Sequence, residues 1–229
     1  MTATRRDQVR AATLEEIKAV ARQQMAASGT ADLSLRAVAR SMGLTAPALY
    51  RYYPNRDALV TALIVDAFNA LADHLEAAQA VATGNFGERF MAVIAAYRGW
   101  ALAHPVDFQL IYGNPIIGYE APREETVPAA SRNLAILAEL LAEGLAEGKV
   151  EQPRVPAWFV QHLETLRGPG RQSAPIEALY LSVVGWMPLH GILMLELFNH
   201  LQPVVGQTDA FFAHTMCHLY TQMGLNLSE

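Results

Sequence analysis

The stretch LSLRAVARSMGLTAPALYRYYPNRDALV, residues 33–60, decides the fold of the N-terminal part of the chain, because it contains two short helices separated by a glycine turn. Ser34 is a good N-cap for the first helix, which the apolar spacing predicts from Leu35 to Met42. Gly43 follows at the position that favours a left-handed cap. Two short helices joined by three residues have the proportions of a helix-turn-helix.

The second short helix is the part of this stretch that suits an external partner. Thr45 can cap it, Pro47 is tolerated in its first turn, and Pro54 should end it after about seven residues. Leu49 and Tyr53 lie one helical turn apart and are predicted to face inward. The opposite face is too polar to pack in a hydrophobic core, but it suits the major groove of DNA, which admits an α-helix.

The residues predicted to bind DNA lie on or beside that outward face. Small side chains let the backbone approach the base edges, and tyrosine or threonine hydroxyls can donate to phosphate oxygens. Arg51 can reach either a guanine edge or a phosphate, and the sequence leaves both open. The starts of the helices at Leu35 and Arg56 offer further anion contacts. The predicted DNA-binding set is Arg36, Thr45, Ala46, Pro47, Ala48, Tyr50, Arg51, Tyr52, Asn55 and Arg56.

The charge distribution also favours a polyanionic partner for this part of the chain. Residues 1–60 contain nine Lys or Arg against five Asp or Glu, whereas residues 61–229 contain eight against seventeen. The net charge of −5 for the whole chain hides this asymmetry. We therefore expect a small basic head attached to an acidic body, with random variation of surface charge as the alternative.

Composition and apolar periodicity predict an all-α fold. The chain is 52% apolar and 17% charged, and no run of alternating β-branched residues competes with helix. A first helix is predicted at Arg5–Ser28, followed by the helix-turn-helix and a long fourth helix that joins the head to a larger helical body. The further predicted helices are 56–80, 88–104, 106–112, 123–148, 155–166, 176–201 and 207–225, with a linker rich in Gly and Pro at 167–175.

Several other classes of function find little support in the sequence. No G-x-S-x-G, H-E-x-x-H, G-x-x-x-x-G-K or dinucleotide motif is present, so the sequence favours neither an enzyme nor a cofactor. The only cysteine, Cys217, excludes an intrachain disulfide and fits a reducing cytoplasm. The N-terminus lacks the apolar segment of a secretory signal. His214 and His218 flank this cysteine, but capping or interface histidines are commoner than a metal site of this kind.

The stretch 33–60 resembles the DNA-binding head of the tetracycline-repressor (TetR) family. The most specific parts are the turn Ala39–Gly43, the LYRYY run and the N-R-D-A-L that follows. The resemblance implies residues 1–55 as the DNA-binding domain, residues 56–83 as a connector and residues 84–229 as a ligand-binding and dimerisation domain.

Two further features concern this resemblance outside the helix-turn-helix. Trp186, His190 and Gly191 form a W…HG pattern that is similar to one subgroup of the family's C-terminal domains. The first helix departs from the family, because it carries Lys18 and Arg22, together with a glutamine, where apolar residues are frequent. We expect its packing on the head to be less apolar than usual.

The resemblance implies a homodimer that inserts two such helices into successive major grooves of a palindromic operator and is released by an effector. Geometry agrees, because a helix of about seven residues reads too few base pairs to define a genomic site by itself, so a two-fold dimer or a pair of such dimers is needed. A repressor is the working hypothesis. Activation, or architectural DNA binding without an effector, is the alternative.

The uncharged run at 178–195 is as long as a membrane-spanning helix, but proline and histidine interrupt it and no Lys/Arg cluster flanks it. We expect a buried helix and no membrane partner. Paired with the helix at 207–225 and with both copies in a second subunit, it would form a four-helix interface. The predicted interface residues are Leu179, Val183, Met187, Leu193, Leu197, Phe211, Met216 and Leu219.

Effector binding is expected among the aromatic and sulfur-containing residues of the body, where charged groups are scarce and a small lipophilic ligand fits best. Ordinary core packing is the competing interpretation for each of these residues. The predicted pocket residues are Phe90, Met91, Tyr97, Trp100, Phe108, Tyr112, Trp158, Phe159, Trp186 and His190.

Overall fold

The computed structural model describes residues 4–167 and 174–227, and these residues confirm the predicted all-α fold. Apart from the helices, one isolated bridge pairs Val150 with Leu225. The predicted linker at 167–175 lies mostly outside the described residues. The helices are α1 Arg5–Ser28, α2 Leu35–Ser41, α3 Ala46–Tyr50, α4 Arg56–Val81, α5 Phe86–Ala103, α6 Pro105–Tyr112, α7 Arg123–Ala146, α8 Ala157–Arg167, α9 Ile176–Leu197, α10 Gln202–Val205 and α11 Thr208–Gln222.

Several helices are shorter than the sequence predicted, among them α3, α9 and α11. α3 has five residues instead of seven, because the backbone after Tyr50 tightens into a turn in which the Tyr52 N–H donates to the Leu49 carbonyl at 2.9 Å. α9 was expected to reach position 201, but it ends four residues earlier. Asn199 follows with a left-handed φ of 57°, which ends the regular helix before α10 begins.

The chain forms two compact units, which are described separately. The head unit comprises Met1–Ala67 and His104–Pro128, and the body unit comprises Phe68–Ala103 and Ala129–Glu229. The segment 104–128 therefore joins the head unit in space, although it lies within the predicted body in chain order. The predicted division at 55 and 83 stays a prediction about which segments fold independently.

Apolar side chains from four helices form the core of the head unit. Ile17 from α1, Val38 from α2, Leu49 from α3, and Leu59 and Leu63 from α4 are all 0% exposed. Full burial of such a side chain stabilises the fold by about 1.5–3 kcal/mol. This core fixes the orientation of α3 although the helix itself is too short to be stable alone.

Charged side chains take part in the packing of α1. The Lys18 ammonium lies 2.5 Å from the Asp66 carboxylate on α4, and Arg22 Nε donates to Asp107 Oδ1 on α6 at 2.8 Å. The side chain of Gln24 accepts a hydrogen bond from the backbone N–H at the start of α2. Polar partners thus hold α1 together with its buried apolar residues Ile17, Ala21 and Met25.

An arginine connects three helices of the body unit. Arg98 on α5 donates through Nε to Glu196 on α9 at 2.8 Å and through its terminal nitrogen to Asp209 on α11 at 2.6 Å. Its guanidinium carbon also lies 5.0 Å from the ring centroid of Phe212. The hydrogen bonds to the Glu196 carboxylate raise the pKa of Arg98 above its usual value, so the side chain stays charged.

Pro188 lies inside α9, where it has no N–H to donate to the preceding turn. The nearby carbonyl of Gly185 accepts a hydrogen bond from the Tyr220 hydroxyl of α11 at 3.3 Å. A Cβ atom at Gly185 would lie 2.8 Å from the Tyr220 ring, so the glycine allows α9 and α11 to approach closely.

Two of the described helices, α4 and α9, are long and apolar enough to cross a membrane. In their most apolar windows, 56% and 44% of the residues are buried within the chain. A buried core helix passes the same test of length and composition.

Candidate functional site

The turn between α2 and α3 sets the geometry of the helix-turn-helix. Gly43 has a φ of 67°, a left-handed conformation that other residues rarely adopt. The N–H of Leu44 donates to the Ala39 carbonyl at 2.9 Å, which closes the end of α2. At the other end, the Ser34 hydroxyl accepts from the Ala37 N–H, so the predicted cap of α2 is confirmed.

The predicted cap of α3 is wrong in one respect. Thr45 occupies the N-cap position with extended backbone, but its side chain makes no capping hydrogen bond. Its backbone carbonyl accepts from the N–H groups of Ala48 and Leu49 at 3.0 and 3.2 Å. The exposed Thr45 side chain therefore does not hold the helix end.

α3 and the turn after it have one buried and one exposed side. Leu49 and Tyr53 are 0% and 8% exposed and belong to the core of the head unit, whereas Tyr50 is 42% exposed. This division agrees with the faces that the sequence predicted. Among the other residues of the predicted DNA-binding set in this segment, Thr45, Pro47 and Arg51 are exposed, and Ala46, Ala48 and Tyr52 are half-buried.

The three remaining residues of the predicted set lie at helix starts in the head unit. Arg36 is exposed in the first turn of α2. Asn55 caps α4, since its Oδ1 accepts from the Ala58 N–H at 2.8 Å. Arg56 is half-buried, and its guanidinium donates to Asp57 at 3.2 Å and to the Ile117 carbonyl at 3.4 Å. A phosphate at Arg56 would share the guanidinium with these partners.

Sequence reasoning missed one arginine that adjoins this surface. The guanidinium carbon of Arg10 on α1 lies 5.4 Å from the ring centroid of Tyr52. The available signal was register, because Arg10 is seven residues, or about two turns, before the buried Ile17. A charged residue at a core position of a helix indicates a partner other than the core.

The structure places the predicted pocket residues in three groups. Within the body unit, Phe90, Tyr97 and Trp100 are buried, Met91 and Trp186 are half-buried, and the buried His190 accepts or donates a 2.6 Å hydrogen bond with the Tyr97 hydroxyl. The rings of Trp158 and Phe159 stack on α8, and Trp158 is 77% exposed. Phe108 and Tyr112 belong to the head unit, where their ring centroids are 5.3 Å apart.

A small cavity lies inside the body unit next to Trp186. Its volume of about 10 Å³ is enough for one water molecule. Desolvation lowers the pKa of His190 to about 3, so the imidazole is neutral at physiological pH. The Trp186 ring lies 4.1 Å from it, centroid to centroid. The cavity is lined by Phe90, Ile94, Leu137, Leu141, Leu181, Ser182, Gly185, Trp186 and Tyr220.

The predicted dimer residues differ in their exposure within one chain. Met187 is 54% exposed. Val183, Leu197, Phe211 and Leu219 are half-buried. Leu179, Leu193 and Met216 are buried and contribute to the body's own core.

The histidines of α11 do not assemble a metal-binding group in the described residues. The rings of His214 and His218 stack with centroids 6.4 Å apart. No group of three or more His, Cys, Asp or Glu side chains close enough to hold a metal ion occurs in the described part of the chain.

A glycine turn between two short helices, with an exposed helix face among the basic N-terminal residues 1–60, defines a helix-turn-helix DNA-binding protein. Comparison with known families agrees. The family model for bacterial regulatory proteins of the tetR family matches residues 17–63. The model for the tetracyclin repressor-like C-terminal domain matches residues 90–219.

Individual proteins resemble the chain over most of its length. The HTH-type transcriptional regulators Mb1846 of Mycobacterium bovis and Rv1816 of Mycobacterium tuberculosis are each 37% identical over 201 residues, covering 85% of this chain and 82% of the relative. The crystal structure of the regulatory protein SCO4313 has a TM-score of 0.78 and 34% identity, and the match covers 94% of this chain and 98% of the other.

A more distant structure shares the fold alone. RolR, crystallised in complex with resorcinol, has a TM-score of 0.57 and 16% identity, with 97% of this chain and 92% of RolR covered. From the family models and the curated relatives together, the chain belongs to the TetR family. It is a DNA-binding transcription regulator.

Proposed function

We propose that this regulator is a cytoplasmic repressor that binds a palindromic operator as a homodimer and is released by a small lipophilic effector. The observation that carries the proposal is the two-sided α3. Leu49 anchors it with 0% exposure, while Tyr50 and Arg51 remain exposed on the other side. A helix held in this way can enter a major groove without disturbing the core.

Each exposed group of this surface has a role that its chemistry suits. Ala46 and Ala48 are small enough to let the backbone approach the bases. The hydroxyls of Thr45 and Tyr50 donate to phosphate oxygens and fix the register of the protein on DNA. Arg51 is the longest exposed side chain at the end of α3, and we assign it to a guanine edge or the phosphate beside it.

Dimerisation is proposed through α9 and α11 of the body unit. Met187, Leu195 and Phe198 are 54%, 47% and 42% exposed on or just after α9, an apolar surface that a second copy would cover. The buried Leu193 and Met216 support that surface from inside. A two-fold dimer would present two α3 helices to half-sites about 34–36 Å apart.

The proposed effector site lies in the body unit around Tyr97 and His190. This hydrogen-bonded pair is a polar point in a mostly apolar interior, which suits a lipophilic ligand with one polar group. The cavity of about 10 Å³ lined by Trp186, whose ring contacts His190, is far smaller than a ligand pocket of about 300–1,000 Å³, so a ligand there would favour an expanded body. RolR, which shares the fold, was crystallised with resorcinol.

Release follows if the expanded state holds the two heads at a spacing that the operator does not match. An effector shifts the equilibrium only through its different affinity for the two states. The connection is α4, whose residues belong to both units.

A fluorescence anisotropy titration tests the proposal. The probe is a DNA duplex selected by the protein from a randomised library, and the effectors are a panel of small lipophilic compounds. We expect sequence-specific binding that one or more compounds weaken. Unchanged affinity across the panel would refute effector release, and binding without sequence preference but with a steep salt dependence would indicate an architectural DNA binder.

A further inference from the structure

The N-terminal part of α1 carries two arginines in the register of the helix's buried stripe. Ile17, Ala21 and Met25 are buried at intervals of four residues. In the other direction, Arg10 lies seven residues before Ile17, and Arg6 lies four residues before Arg10. These intervals are close to whole turns of 3.6 residues, so both arginines point to the side of α1 that faces the head core.

This end of α1 has no core to face. Every residue from position 4 to position 12 is exposed, so the buried stripe stops before it reaches Arg10. With a rise of 1.5 Å per residue, Arg6 lies about 16 Å along the helix from Ile17. The two arginines therefore extend the core-facing side of the helix beyond the apolar part of the head.

Arg10, the inner of the two arginines, lies beside the segment that contains α3. The Arg10 guanidinium carbon lies 5.4 Å from the centroid of the Tyr52 ring, in the turn that follows α3. Stacking on a tyrosine orients the guanidinium, while its N–H donors lie in the plane of the group and can still bind a phosphate. Arg10 thus joins the proposed DNA surface from a different helix.

The nearest acidic group does not neutralise this stripe by pairing with it. Asp7 forms a capping box with Thr4, whose hydroxyl donates to the Asp7 carboxylate at 2.6 Å and whose oxygen accepts from the Asp7 N–H at 3.2 Å. These hydrogen bonds lower the pKa of Asp7 and keep its carboxylate at the start of α1.

We propose that Arg6 and Arg10 bind the phosphate backbone of DNA beside the groove that receives α3, so that α1 is a second contact surface of the head. This inference rests on the proposed operator binding. In this arrangement Arg10, next to Tyr52, contacts a phosphate close to α3. Arg6 lies one turn, about 6 Å, further along α1 and contacts a phosphate more distant from α3. Such contacts add affinity and orientation, and they read no sequence.

The test is the salt dependence of binding to a duplex selected from a randomised library by the wild-type protein. Each phosphate contact contributes about −0.9 to the slope of log K against log salt, so removing Arg6 and Arg10 from both subunits of a dimer should reduce the slope by about 3.6. Between 50 and 200 mM salt, the Kd of the double variant Arg6→Ala/Arg10→Ala should therefore rise about 150-fold less than that of the wild type.

A matched control is available on the same helix. Arg5 lies one residue before Arg6 and so points about 100° away from the stripe. The variant Arg5→Ala loses one positive charge and should keep the wild-type slope. Circular dichroism melting curves should be alike for all variants, because positions 5, 6 and 10 are exposed.

The possible results separate this inference from the proposed function. A wild-type slope in the double variant would overturn the inference, even if affinity fell, because Arg10 would then act only by supporting Tyr52. The inference would also be overturned if Arg5→Ala lost as much slope per arginine removed as the double variant does, since net charge and not position would then be responsible. Failure of the wild-type protein to select any duplex would instead refute the proposed operator binding.

Discussion

Substitutions on opposite sides of α3 should separate folding from DNA binding. Leu49→Ala removes three carbon groups from a side chain that is 0% exposed. At about 0.8 kcal/mol per group the transfer contribution is about 2.4 kcal/mol, and the cavity left behind brings the expected destabilisation of the head unit to about 2–5 kcal/mol. Arg51→Ala removes an exposed side chain, so its effect on stability should stay within about 0.5 kcal/mol.

Urea unfolding followed by circular dichroism measures the stability of each variant, and anisotropy with the selected duplex measures its DNA affinity. Arg51→Ala should bind DNA more weakly while unfolding like the wild type. Tyr50→Phe is a milder companion, since it removes one hydroxyl from a side chain that is 42% exposed. If Arg51→Ala unfolded as easily as Leu49→Ala, or bound DNA like the wild type, the assignment of the two faces would be wrong.

Three further predictions concern the body unit. Gly185→Ala should lower the free energy of unfolding by about 1–3 kcal/mol, because its Cβ would lie 2.8 Å from an aromatic ring; Gly99→Ala, with open space around the Cβ, should be neutral or stabilising. Arg98→Ala should lower the free energy of unfolding by about 3–5 kcal/mol, because it leaves the Glu196 carboxylate without its partner although that side chain is only 10% exposed. Arg132 is more exposed, so Arg132→Ala should lower the free energy of unfolding by at most about 1 kcal/mol. Burial lowers the pKa of His190 to about 3, so below pH 6.5 the unfolded state takes up a proton that the native state does not. Native stability should therefore fall by about 1.6 kcal/mol between pH 6.5 and 5, and His190→Gln should lack this component.

The head could be predicted from the sequence because its signals are local. The cap at Ser34, the left-handed Gly43 and the stop at Pro54 act within a few residues of where they stand, and the core positions follow the helical period. The end of α3 was placed too late, because a tight turn and a further helical turn have similar side-chain spacing.

Contacts between distant segments could not be predicted in the same way. Arg22 and Asp107 are 85 residues apart in sequence, and Arg98 and Glu196 are 98 apart. Nothing in the local pattern at Arg22 indicates which acidic residue will pair with it. The grouping of residues 104–128 with the head unit depends on such contacts, which is why chain order alone assigned this segment to the body.

The predicted effector and dimer residues show a related limit. Aromatic and apolar residues at helical spacing identify buried faces, but they do not distinguish a core from a pocket or an interface. Leu193 and Trp158 illustrate this, since the first is 0% exposed and the second 77% exposed.

Selection of DNA duplexes from a randomised library by the full-length protein, followed by sequencing, tests the central claim most directly. The proposed function predicts an inverted repeat whose half-sites are separated by about one helical turn, 34–36 Å, and whose enrichment is lost in Arg51→Ala. Enrichment of a single unrepeated site, or equal enrichment by the wild type and Arg51→Ala, would contradict it.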